Sequence, residues 1–217
     1  PISADARVGG ILSGKAGLVN IHLGDGIERM KYLQHMKEQT DIPLTQFLPT
    51  HANRNLELYK EAVHYAMDGG YIDFTTSTVP QFIEEGEVPA ADAFVMAIHN
   101  GVSDTHMTFS SDGQGSLPLF DQNGVLKGLD VGRVTSMFST LKTLVLDMNM
   151  KLETALKPFT MNPAQLLKLK TKGSISENAD ADVVLVSADT FEISDVIAGG
   201  KWLMKDRMFV VKGTFEK

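Results

Sequence analysis

Apolar residues in the first half of the chain fall into two kinds of run. Some are short and rich in β-branched or aromatic residues; others are longer, with apolar positions returning every third or fourth residue. LVNIHLGD (18–25), QFLPTHANRN (46–55), YIDFTTS (71–77) and HMTFSSDGQGS (106–116) are of the first kind, and each reads as a strand. Between them, Ile27, Met30, Leu33 and Met36 mark one helical face, Leu56, Tyr59, Ala62, Val63 and Met67 a second, and Ala91, Phe94, Val95 and Ile98 a third. Glycines at 69, 70 and 101 stop the last two helices. Strand ends fall near 22, 51, 77 and 112. The unbroken βαβαβαβ order predicts a parallel sheet with right-handed crossovers, and pattern alone leaves barrel or open sheet undecided.

The pattern then changes twice. Residues 113–130, with GQGS, LPLFDQNG and KGLD, read as a long loop of turn residues suited to an active-site wall. Helical segments follow over about 131–148 and 152–170, with Asn162 as N-cap and Pro163 as first helical residue splitting the second. After Gly173, ADADVVLVS, EISDVIAGGKWLMKD and RMFVVKG read as short strands joined by turns. The expected division is therefore 1–172 and 173–217.

Composition narrows the class. With 217 residues, 43% of them hydrophobic, the chain can bury a substantial core, and no apolar run approaches the roughly 20 residues of a membrane span. A formal charge of −7 argues against a nucleic-acid partner. There is no cysteine, so a metal would have to be held by nitrogen and oxygen. An acidic cytoplasmic protein is expected, and the PISADARVGG start reads as a cut inside a longer chain.

Candidate chemistry sits where strands end. His22, His51 and Asp112 close three of the four strand runs, and parallel βα units place such ends on one rim, where three side chains distant in sequence can meet one cation. Alone, a strand-end histidine is most often structural and Asp112-Gly113 is a common turn dipeptide. Their coincidence is what raises the metal reading. Arg54, three residues past His51, is placed to grip a substrate carboxylate, and Ser116 could hydrogen-bond substrate from the loop after Asp112. His35, His64, His99 and His106 lie on helices or at a strand's beginning and receive structural assignments. GKAG, GDG and SSDGQGS match neither a phosphate-binding loop nor a nucleophile elbow.

IHLGD, FLPTHANRN, YIDFTTS, FSSDGQGS, ALKPFTMNPAQLLKL, KGSI…ADADVVLV and the terminal VKGTFE, taken in order, resemble the isoaspartyl (β-aspartyl) dipeptidases of the metal-dependent amidohydrolase superfamily. The resemblance implies the C-terminal half of a (β/α)8 barrel of TIM type, strands five to eight, plus part of a small β domain. It further implies two zinc ions per active site, with His22 and His51 on one and Asp112 on the other. Asp112 would shuttle the proton; Arg54 and Ser116 would hold substrate carboxylates. The implied reaction is hydrolysis of a β-aspartyl dipeptide by a metal-bridging hydroxide in a homo-oligomer.

The family's HxH pair and bridging carboxylated lysine have no match before His22, since residues 1–17 hold one lysine, Lys15, in a GKAG turn. The 217 residues alone are therefore expected to be nearly inactive and to need the missing N-terminal half of the barrel. Two other readings remain, a dihydroorotase-like cyclic amidohydrolase and a non-catalytic binding or assembly fragment.

Overall fold

The structure is a computed structural model that describes residues 1–213, so the last part of the VKGTFE run lies outside the described residues. It divides into two compact units, Pro1–Lys168 and Leu169–Lys217. The first opens with α1 (Ile2–Ser13), a helix that no periodic apolar stripe predicts: Ile2, Val8, Ile11 and Leu12 are exposed, and only Ser3 and Gly10 are buried. Then come β1 (Val19–His22), α2 (Lys31–Gln39), β2 (Phe47–Thr50), α3 (Leu56–Met67), β3 (Ile72–Thr75), α4 (Pro80–Glu84), α5 (Ala90–His99) and β4 (Met107–Ser110).

β1 and β2 pair in parallel, from Val19 opposite Phe47 to His22 opposite Thr50, and β3 pairs with β4 in parallel from Ile72 opposite Met107 to Thr75 opposite Ser110. Between the pairs, the Ala52 N–H donates to the Asp73 carbonyl at 3.1 Å. Parallel strands thus neighbour one another in chain order, with no reversal of the kind that defines a doubly wound open sheet. This order is consistent with part of a (β/α) barrel.

Strand alternation sorts the side chains. Phe47, Ile72, Phe74, Met107 and Phe109 are buried with Leu58, Tyr59 and Ala62 of α3 and with Ala93, Phe94 and Ala97 of α5. Ring contacts at 5.5 Å (Phe94 to Phe109) and 6.0 Å (Tyr59 to Phe74) join these layers. Most alternate positions are polar, Leu48 of β2 excepted. Asn20 Nδ2 donates to Thr50 Oγ1 at 2.7 Å, and Thr108 Oγ1 and Ser110 Oγ donate to the two oxygens of Asp73 at 2.6 and 2.5 Å.

Helix limits follow local chemistry. Asn55 caps α3 by accepting from the Leu58 N–H at 2.9 Å, and Gly69 at φ 95° follows its end. Of the expected faces, Met30, Leu33, Tyr59, Ala62 and Val63 are buried, whereas Ile27, Leu56 and Met67 are exposed and Leu58 is buried instead.

Residues 113–130 are not the expected irregular loop. They contain an antiparallel hairpin, β5 (Ser116–Phe120) and β6 (Leu126–Val131), with Pro118 tolerated in a two-stranded sheet where both strands are edges. The helices beyond are shorter than expected: α6 (Thr135–Lys142) runs into a π-helical turn over Thr143–Asp147, then α7 (Leu152–Leu156) and α8 (Met161–Leu166) follow. Asn162 is no N-cap. Thr160 takes that position, while Asn162 is buried and donates to the Asp104 and Met107 carbonyls, both at 2.7 Å, tying α8 to the start of β4.

The second unit holds one antiparallel sheet of β7 (Val183–Val186), β8 (Ile193–Ala198), β9 (Lys201–Lys205) and β10 (Met208–Phe209), in the order β10-β9-β8-β7. Gly199 and Gly200, and then Asp206 and Arg207, all have positive φ, as two-residue hairpin turns require.

Candidate metal centre

His22 is the last residue of β1, His51 follows β2 directly, and Asp112 lies two residues past β4. Their ligating atoms all lie within 4.8 Å of one another, and among the described residues no other group of three or more His, Asp or Glu side chains does this. His22 Nδ1 and His51 Nε2 face each other at 3.0 Å. Two nitrogens bound tetrahedrally to one zinc at about 2.0–2.1 Å would stand about 3.3 Å apart, so a few tenths of an ångström of opening would admit the ion. Two imidazoles and a carboxylate are a donor set suited to zinc and similar divalent ions.

Each position is built differently. His51 is buried and takes φ 66°, a left-handed backbone that turns its ring back over the strand ends. Its Nδ1 is 2.6 Å from Thr75 Oγ1. Burial pushes the imidazole down to about 4, helped by Arg54 and opposed by Asp112, so near pH 7 it is neutral, the form that ligates a metal.

Asp112 also has a left-handed backbone, φ 49°, at the head of a turn in which the Gly115 N–H donates to its carbonyl at 2.8 Å. A Cβ on Gly115 would lie 2.6 Å from Asp112 Oδ2, and one on Gly132 would strike the Asp112 carbonyl. Gly115 of SSDGQGS therefore leaves room for this carboxylate.

Arg54 stands one turn past His51, its N–H donating to the His51 carbonyl at 3.1 Å, and its guanidinium lies 3.7 Å from the exposed Asp25. Arg54, His51, Thr75, Asp112, Glu87 and Leu117 are among the side chains lining a small recess. Ser116 is elsewhere: it is exposed at the start of β5, and Leu117 is the hairpin residue that reaches the recess.

Three neighbours of the site escape strand-end reasoning. Thr75 touches His51. Asn53 is buried and spans β2 and β3: its Oδ1 accepts from the Thr75 N–H at 2.8 Å, and its Nδ2 donates to the Thr75 and Val88 carbonyls at 3.1 and 2.8 Å. Glu87 has a buried Oε1 without a hydrogen-bond partner, and burial pushes its carboxyl above the ordinary range, opposed by Thr78 and Arg54. The polar run PTHANRN was the available signal for Asn53; nothing marks Glu87, which lies in a charged loop.

The family model described as the amidohydrolase family matches residues 16–203. Among solved structures, a β-aspartyl dipeptidase from Fervidobacterium islandicum AW-1 in complex with β-Asp-Leu is 42% identical, with a TM-score of 0.87 over 98% of this chain and 55% of that one. A second structure of a β-aspartyl dipeptidase from that organism is 38% identical, with a TM-score of 0.83 over 98% of this chain and 52% of its own. This chain thus spans about half the length of both. A dihydropyrimidinase from Brevibacillus agri NCHU1002, 16% identical with a TM-score of 0.57 over 89% of this chain and 58% of that one, shares the fold. Among the described residues, no helix is long and apolar enough to cross a membrane.

Proposed function

From the premise that this chain belongs to the amidohydrolase family, we propose that it forms part of a binuclear zinc enzyme that hydrolyses the β-aspartyl bond of isoaspartyl dipeptides. The observation that carries this reading is the 42% identity, over 98% of the chain, to a dipeptidase whose structure holds β-Asp-Leu. On this reading β1 to β4 are strands five to eight of an eight-stranded barrel, within 1–172, and 173–217 is the C-terminal segment of a small β domain. The enzyme is a cytoplasmic homo-oligomer.

The roles follow from placement. His22 Nδ1 and His51 Nε2, the atoms that face each other, would hold one metal, and Asp112 would hold the other. Zinc, when bound, lowers the pKa of its water toward about 7 and so supplies a nucleophile at neutral pH. Asp112 takes up the proton released and delivers it to the leaving amine. Arg54 exchanges the exposed Asp25 for a substrate carboxylate, whereas Ser116, exposed and outside the recess, takes no part in holding substrate. The HxH pair and bridging lysine have no match before His22, so on this reading the 217 residues depend on the other half of the barrel for activity.

Turnover of β-Asp-Leu by the complete polypeptide that carries this chain, compared with α-Asp-Leu and a cyclic amide such as dihydroorotate, tests the reading. Zinc-dependent cleavage of β-Asp-Leu alone is expected. Cleavage of the cyclic amide instead, or turnover unaffected by chelation, would overturn it.

A further inference from the structure

We infer that Thr75, clamped by Asn53, is a positioning residue that fixes which nitrogen of His51 is offered to a metal. The inference rests on His51 being a ligand, as proposed above. A neutral imidazole carries one N–H. When the proton is on Nδ1, it donates to Thr75 Oγ1 at 2.6 Å and leaves the Nε2 lone pair free on the side facing His22 Nδ1 at 3.0 Å. When the proton is on Nε2, the position between the two histidines is blocked. A ligating histidine is ordinarily oriented by a partner on its other nitrogen. Thr75 is the group placed to be that partner.

What makes Thr75 a fixed partner is its backbone. β2 and β3 form no continuous ladder with each other, and Asn53 takes the ladder's place. Its amide oxygen accepts from the Thr75 N–H and its Nδ2 donates to the Thr75 carbonyl, at 2.8 and 3.1 Å, while the same nitrogen reaches the Val88 carbonyl at 2.8 Å. Asn53 lies two residues past His51 on the same turn. The ligand-bearing turn therefore grips the strand that carries its own hydroxyl partner, so ring and hydroxyl are held in one frame. His51, Asn53 and Thr75 are all buried, so water does not readily replace the hydroxyl.

Two measurements on the complete polypeptide decide this, zinc affinity by competition with a chromophoric chelator and the His51 tautomer by imidazole ¹⁵N NMR in the metal-free protein. Thr75→Val keeps the volume and removes the hydroxyl; Thr75→Ser restores it. We expect Thr75→Val to weaken zinc by about 10- to 100-fold, the range for such partners, with Thr75→Ser close to wild type. His51 should carry its proton on Nδ1 in wild type and in Thr75→Ser, and lose that preference in Thr75→Val. Unchanged zinc affinity in a folded Thr75→Val protein, or a wild-type His51 protonated on Nε2, would overturn the inference. Failure of every version to bind zinc would refute the metal reading instead, and the tautomer measurement would still decide the role of Thr75.

Discussion

His51 and Asp112 occupy similar positions, each just past a strand of the parallel set with a left-handed backbone, yet they are held by opposite means. His51 is buried and fixed by side chains: Thr75 holds its ring, and Asn53 holds Thr75. Asp112 is half-buried and fixed by backbone, in a turn where Gly115 leaves space beside its carboxylate. The difference suits the proposed tasks. A ring that only ligates gains from being immobile, whereas a carboxylate that also moves a proton needs room to reorient.

The largest expected effect is on the carboxylate side. Asp112→Asn should lower turnover of β-Asp-Leu by about 10⁴-fold, the upper end for loss of a proton-transfer group, with urea stability unchanged. A loss below about tenfold would place the proton transfer elsewhere. On the imidazole side the expected damage is to the fold. Asn53→Ala leaves the Thr75 N–H and carbonyl in the β2–β3 seam, and the Val88 carbonyl ahead of α5, without their partner and should lower unfolding free energy by about 4 kcal/mol; a loss under about 1 kcal/mol would show that the seam does not depend on it.

Asp73 lies beneath both positions, bonded through hydroxyls to Thr50 beside His51 and to Ser110 ahead of Asp112. Burial raises its carboxyl from an ordinary 3.8 to about 6. The folded state therefore binds this proton more tightly than the unfolded one. Stability from this group is fully present below pH about 4 and is lost as pH rises through about 6, by up to about 3 kcal/mol at 1.4 kcal/mol per unit. Urea unfolding of wild type against Asp73→Asn across that window should show the decline in wild type only. The smallest effect belongs to the glycine frame: Gly115→Ala should displace the Asp112 carboxylate and slow turnover about tenfold while leaving the circular dichroism spectrum unchanged.

The βα succession and the three rim residues were legible in the sequence because strand alternation and strand ends leave local marks. Chain-order pairing of the parallel strands, the order a partial barrel requires, is not local and needed the structure. Asn53 and Thr75 act across two strands 22 residues apart, a relation that no window along the chain contains. The β5–β6 hairpin was hidden by Pro118 and the surrounding turn residues. α1 was hidden because its apolar residues at 2, 8, 11 and 12 form no buried stripe. Asn162-Pro163 looked like a helix start, yet a buried tie to β4 claims the asparagine.

The most direct test of the account is an anomalous difference map from crystals of the zinc-loaded complete polypeptide. The account predicts one peak about 2.0–2.1 Å from both His22 Nδ1 and His51 Nε2, and a second within about 2.2 Å of an Asp112 oxygen. A single ion bound away from His51 Nε2, or zinc bound to His22 through Nε2, would contradict it.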